Sequence, residues 1–376
     1  MAAILSHADV ETAARRRLPR FLYDYISGGS YDEVTLRRNR DRLQALALRQ
    51  RVMRDVATID MTTELFGGPA ALPVVLGPVG LAGMCARRGE VQAARAARAA
   101  GVPFCLSSVA VCDLEEVSAA GADLWFQLYM VRDRGFLAEL LQVAAARARV
   151  LVFTVDMPTA ATRYRDFRSG MSGSPGLTGT IRRTVQAALR PRWAWDVGLR
   201  GRPHSLGNLK SVVGGRGAGN FAAWIMRNFD PGVTWADLEF VRRHWPHRLV
   251  IKGVMDPDDA AAAAGSGADG IVVSNHGGRQ LDGVAATCDA LPQVVQRVGG
   301  RATILVDGGV RSGIDVMRML ALGADGVMLG RAWAYALASG GERGVGAMIE
   351  TVARELHAGM TMTGSRTIAE TRHALA

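Results

Sequence analysis

The sequence predicts an α/β protein, a (β/α)8 TIM barrel with a helical N-terminal segment and one long basic insertion after the fourth strand. Three observations predict it. Eight short apolar runs alternate with helical patterns from about residue 72 to residue 330. Several runs end abruptly in polar or charged residues, as where Ile271-Val272-Val273 runs into Ser274-Asn275-His276. Glycine-rich turns carrying arginine follow the seventh and eighth runs. Continuous apolar runs suit parallel strands covered on both faces, and eight of them are what barrel closure requires.

The strand-like runs span 72–77, 103–107, 124–129, 150–156, 249–253, 270–275, 303–308 and 326–330. Helix starts are readable between them: Asp113 with Glu116 and Ser312 with Asp315 have capping-box spacing, and Asp256-Pro257 puts proline at a first helical position. Gly121-Ala-Asp, Gly267-Ala-Asp and Gly323-Ala-Asp each close a helix and open a strand, the glycine being able to take the left-handed conformation. Residues 1–66 read as a helical segment, with Tyr23-Asp24-Tyr25 before Ser27-Gly28-Gly29 and a charged helix pattern over 33–48. The alternation breaks once, at 157–232, and a connection of that length in a barrel is functional or mobile. Gly215-Arg-Gly-Ala-Gly219 lies there without the strand and spacing of a dinucleotide loop.

The chain has 376 residues and 49% hydrophobic content, enough for one elaborated barrel over 67–376 within a single domain of 1–376. Four cysteines form no CxxC pair, which fits a reducing cytoplasm, and no metal site is expected. His244 and His247 flank Trp-Pro and are expected in a solvated loop. The first twenty residues have no apolar signal core, and prolines interrupt the uncharged stretch 65–86, so neither a leader nor a membrane span is expected. The formal charge of +10 is concentrated: twelve Lys or Arg lie between Arg163 and Arg227 against Asp166 and Asp196. Trp193, Trp195, Phe221 and Trp224 are interspersed with them, a composition suited to an anionic membrane surface.

The chemistry concentrates at strand ends, where barrels place their ligands. His276 and Arg279 follow the sixth barrel strand with two glycines between them. Histidine titrates near neutrality and suits a general base, while the arginine fork matches a carboxylate. The turn Asp307-Gly308-Gly309-Val310-Arg311 and the pair Gly330-Arg331 supply backbone N–H groups and cations where barrels bind phosphate.

These residues are similar to a known family. The chain resembles the FMN-dependent α-hydroxy acid oxidising enzymes over nearly its whole length. The resemblance runs through Tyr-Asp-Tyr25, Ala-Arg-Arg-Gly-Glu90, Phe126-Gln-Leu-Tyr129, Thr154-Val-Asp156, Ile251-Lys-Gly253, Ser274-Asn-His-Gly-Gly-Arg-Gln280 and both phosphate turns. Gly80-Leu-Ala-Gly-Met84, Arg163-Tyr-Arg165, Ser169-Gly-Met-Ser-Gly173 and Trp193-Ala-Trp-Asp196 point to its membrane-associated bacterial branch, which acts on L-lactate.

The resemblance implies roles. His276 is expected as the base, oriented by Asp156, with Arg279, Tyr25 and Arg163 holding the substrate carboxylate and Tyr129 its hydroxyl. Lys252 is expected to stabilise charge on the reduced flavin. Pro78, Val79, Gly80, Ser107, Gln127, Thr154, Lys252, Ser274, Asp307, Gly308, Gly309, Arg311, Gly330 and Arg331 are expected to line FMN. The implied reaction oxidises an L-2-hydroxy acid, L-lactate foremost, with a mandelate-type dehydrogenase or an oxygen-using oxidase as the alternative. Gly80 stands where family oxidases often have Ala, Val109 where glycolate oxidases carry Trp, and Cys85 where the lactate branch has Tyr. A quinone or other acceptor, a homotetramer and a peripheral place on the cytoplasmic face of the inner membrane are implied. A phosphate-binding isomerase or aldolase would share the two turns without needing His276 and Arg279. Nucleic-acid binding would explain only the basic segment, and none is expected.

Overall fold

In the computed structural model residues 6–173, 176–202, 204–210 and 228–376 are described. Eight parallel strands close into a barrel: β3 (Val74–Leu76), β4 (Phe104–Ser107), β5 (Leu124–Tyr129), β6 (Val150–Thr154), β7 (Arg248–Val254), β8 (Gly270–Val273), β9 (Thr303–Val306) and β10 (Gly326–Leu329), with β10 pairing back onto β3. Each lies within the corresponding run expected from sequence or within a residue of it.

The pleat sorts each strand into two faces. Val75, Cys105, Trp125, Val152, Val250, Val272, Leu305 and Met328 form one buried cluster that fills the barrel, while the alternate residues join the larger cluster under the helices. Two residues further along the same inward rows, apolar side chains give way to Ser107, Gln127, Thr154 and Lys252. Those four side chains are therefore carried to the carboxyl-terminal mouth by strand register. The opposite end turns on Gly121, Gly267 and Gly323, all at positive φ as their turns require.

The barrel floor departs from expectation. The segment read as helical to residue 66 ends in a hairpin, β1 (Thr63–Leu65) and β2 (Gly68–Ala70), turned by Phe66 and Gly67, both at positive φ. Such turns favour Asn-Gly, so nothing in the local sequence signals it. Leu65 is fully buried and Phe66 meets Trp125 edge-on at 5.4 Å, so burial offsets the unfavourable φ and the hairpin plugs the barrel floor.

Three N-terminal helices, α1 (His7–Arg17), α2 (Arg20–Ser27) and α3 (Val34–Ala45), reach the mouth. Asn39 on α3 exchanges two side-chain hydrogen bonds with Asn275, and the Asp282 carboxylate accepts from the backbone N–H groups of Val34 and Thr35. Gly278 sits at φ 72°, and a Cβ there would lie 2.6 Å from the Leu36 nitrogen. The second glycine between His276 and Arg279 thus permits close approach of the N-terminal segment. His244 is the last residue of the helix Asp237–His244 rather than part of a loop. Its preceding sequence is a regular helical pattern, and Pro246 acts only beyond it. Among the described residues no metal-ligand cluster and no helix long and apolar enough to cross a membrane occurs, and all four cysteines are free and buried.

Candidate active site

At the mouth lies a cavity of about 590 Å³. Its centre is a short chain of polar groups. His276, at φ 57°, turns its ring so that Nδ1 lies 2.9 Å from Asp156 Oδ1 and Nε2 lies 3.5 Å from the Tyr129 hydroxyl. Burial alone would raise the Asp156 carboxyl, but the facing His276 and Lys252 outweigh it and hold it below the usual carboxylate range. Burial drives the Tyr129 phenol upward, with Asp156 and Tyr25 adding to the effect, so Tyr129 stays protonated and can donate.

Beneath this chain Lys252 Nζ donates to Ser274 Oγ at 2.8 Å and pairs with Asp307 Oδ2 at 2.9 Å, while Ser274 donates to Asp307 at 2.7 Å. Burial alone would lower the lysine, yet Asp307 and Asp156 raise it, so a fully buried ammonium keeps its charge. Gln127 links Ser107 to Thr154, with both contacts 3.0 Å. Of the residues expected at the cofactor, Gln127 and Ser274 support the cavity wall from behind; the others line it.

The opposite wall is cationic. Arg279 Nη1 donates to the carbonyls of Tyr25 and Gly28 at 2.6 and 2.8 Å, and its guanidinium lies 5.0 Å over the Tyr25 ring. Arg163 comes from the start of the insertion, its Nε 3.5 Å from the Arg279 carbonyl. Burial and the nearby Arg279 bring Arg163 down to about 10, and burial with Arg279 and Arg311 brings Arg331 down to about 9. Among the described residues, only Arg163 of Arg163, Arg279, Arg311 and Arg331 has a carboxylate in ion-pair range, Asp166 at 3.9 Å. Four half-buried guanidiniums with so little counter-charge fit anionic ligands. Arg311 and Arg331, beside Gly308, Gly309 and Gly330, fit a phosphate; Arg279 and Arg163 fit a carboxylate.

Sequence reasoning missed much of the roof. Met157, Ala161, Phe167, Met171 and Gly173 line the cavity, as does Asp166, whose Oδ1 is buried without a hydrogen-bond partner among the described residues and whose carboxyl burial pushes above the usual range. Only the Ser169–Gly173 resemblance hinted at this segment. Trp193, expected from composition at the membrane-facing surface, is buried, donating to the Met84 carbonyl at 2.7 Å and packing edge-on against Phe21. Phe221, Trp224 and residues 215–219 lie outside the described residues.

A closed parallel barrel with an arginine-lined mouth, an imidazole paired to a carboxylate and a buried lysine nearby is an arrangement suited to a cofactor-dependent oxidoreductase. The family model for FMN-dependent dehydrogenase matches residues 14–376. An L-lactate dehydrogenase of Caulobacter vibrioides is 58% identical over 97% of this chain and 96% of that protein, and one from Stenotrophomonas maltophilia is 55% identical over 98% and 97%. Among solved structures, the monotopic membrane protein (S)-mandelate dehydrogenase superposes with TM-score 0.89 at 33% identity, covering 97% of each chain. Mandelate oxidase superposes with TM-score 0.85 at 36% identity, covering 99% of this chain and 98% of that one. The chain belongs to the FMN-dependent dehydrogenase family, and FMN is its cofactor.

Proposed function

We propose that the protein oxidises L-lactate to pyruvate and passes the electrons to a quinone. The observation that carries this reading is the facing pair of the His276–Asp156 dyad and the Arg279–Arg163 clamp across one cavity. In it, the clamp and Tyr25 hold the carboxylate, Tyr129 donates to the substrate hydroxyl, and His276 Nε2 takes the hydroxyl proton. Asp156 favours the resulting imidazolium. FMN supplies the two-electron acceptor for the acid. Pro78, Val79, Gly80, Ser107 and Thr154 would meet its ring system, with Gln127 and Ser274 fixing the groups beneath, and Lys252 would stabilise negative charge on the ring after reduction. Asp307, Gly308, Gly309, Arg311, Gly330 and Arg331 would hold its ribityl phosphate. Relatives of high identity named L-lactate dehydrogenase support lactate as substrate. Within a single-domain chain of 1–376, the insertion would act as a lid, and a homotetramer is the proposed assembly.

We also propose peripheral attachment to the cytoplasmic face of the inner membrane. Leu177, Ile181, Val185 and Leu189 fall four residues apart along and just past the helix Leu177–Ala188, and all four are exposed, as is Trp195. An exposed apolar stripe among arginines is the pattern of an in-plane membrane helix. The monotopic mandelate dehydrogenase of like fold supports this reading.

The test is product formation by the purified holoprotein with L-lactate, comparing a short-tailed ubiquinone with oxygen. Pyruvate formation sustained by the quinone and slow in oxygen is expected. Turnover of mandelate but not lactate, or oxygen as the better acceptor, overturns the proposal.

A further inference from the structure

A second cavity, of about 410 Å³, adjoins the first. Tyr129, Thr154 and Met157 line both, so the two adjoin across these three residues. The rest of its described lining is largely apolar, including Phe153, Val155, Val233, Trp235 and Leu238. Among the described residues its charged lining groups are Asp230 and Asp259, the reverse of the arginine-rich first cavity. Asp230 is fixed by Arg134 at 2.6 Å, and Asp259 is exposed. With arginines lining the first cavity and no cation lining the second among the described residues, an acid anion favours the first, whereas an uncharged flat ring suits the second. Its volume falls in the range of small-molecule sites, about 300–1,000 Å³.

We propose that this second cavity is the docking site of the quinone, so that the acid and the oxidant occupy adjoining chambers. The inference rests on the reading of the protein as a quinone-linked hydroxy acid dehydrogenase. The balance is two electrons and two protons: the CH–OH of the acid becomes C=O, and the two C=O groups of the quinone become C–OH. The Tyr129 hydroxyl lies 3.5 Å from His276 Nε2, and Tyr129 is among the residues common to the two cavities.

The experiment uses the holoenzyme, reduced anaerobically by L-lactate and then mixed with a short-tailed ubiquinone or with ferricyanide. Val233→Phe, which fills the second cavity, is expected to slow reoxidation by the quinone at least about 10-fold, corresponding to about 1.4 kcal/mol. Reduction by lactate and reoxidation by ferricyanide are expected to stay at wild-type rates, which also shows that the variant folds. Pro231→Trp, on the same lining, replaces it if Val233→Phe does not fold. In wild-type protein the quinone is expected to quench tryptophan emission saturably, with most of that quenching lost in Trp235→Phe. Unchanged quinone reoxidation in the filled variants, or quenching that survives in Trp235→Phe, overturns the site. A wild-type enzyme that the quinone cannot reoxidise at all overturns the acceptor reading instead.

Discussion

His276 Nδ1 lies 2.9 Å from Asp156 Oδ1, although 120 residues separate them in sequence. The contact fixes which ring nitrogen faces the cavity, because Nδ1 is occupied by the carboxylate and Nε2 is left toward Tyr129. His276→Gln removes the base, and anaerobic single-turnover mixing with lactate is expected to show flavin reduction slowed by at least roughly 10²-fold. Asp156→Asn keeps the ring in place but leaves the imidazolium without its partner charge, so a large loss is expected there too. Near-normal reduction in His276→Gln contradicts the assignment of the base.

The same pair makes stability depend on pH. The Asp156 carboxyl is held below its ordinary value because His276 and Lys252 outweigh the opposing effect of burial. Its contribution to stability is therefore fully present above the unfolded-chain value of about 4 and is lost as pH falls through the lower folded value. Thermal melts of wild type and Asp156→Asn are expected to differ most near neutrality and to converge below about pH 4. A gap that stays constant down to about pH 3 contradicts this linkage.

Gly80 sits where little can be added. A Cβ there would lie 2.8 Å from Val109 Cγ2 and 3.2 Å from the Tyr25 hydroxyl, which now donates to the Gly80 carbonyl at 3.4 Å. Gly80→Ala is expected to displace Tyr25 from the carboxylate clamp and raise KM for lactate several-fold, on the order of 1 kcal/mol of lost binding. Val109→Ala in the same chain opens the contact and is expected to recover most of the loss. Steady-state kinetics of the two single variants and the double variant measure the coupling.

The apolar stripe of Leu177, Ile181, Val185 and Leu189 gives a test of membrane attachment. Ile181→Glu with Val185→Glu places two carboxylates on the stripe without touching the cavity. Sedimentation with vesicles rich in anionic lipid is expected to fall at least about 10-fold, while lactate oxidation with a soluble acceptor is unchanged. Unaltered co-sedimentation removes this helix from the membrane surface.

The barrel was legible because its signals are local: an apolar run for each strand, a glycine for each return and polar residues at strand ends. His276, Arg279 and the two phosphate turns could be placed for the same reason. Pairing His276 with Asp156 could not be derived from periodicity, since it depends on β6 and β8 bringing two distant strand ends together, and it came only from resemblance. The floor hairpin escaped because Phe66-Gly67 is not a turn signature; its conformation is fixed by the packing of Phe66 on Trp125. The roof escaped because Met157, Phe167 and Met171 lie in irregular chain where no period applies. Trp193 misled because composition shows that an aromatic lies among arginines but not which way it points.

The central claim is that one cavity holds a 2-hydroxy acid against FMN, and the visible spectrum of the purified holoprotein under anaerobic conditions tests it most directly. Addition of L-lactate is expected to bleach the flavin band fully, with pyruvate formed in equal amount. A yellow protein whose colour survives L-lactate and every other 2-hydroxy acid offered contradicts the account.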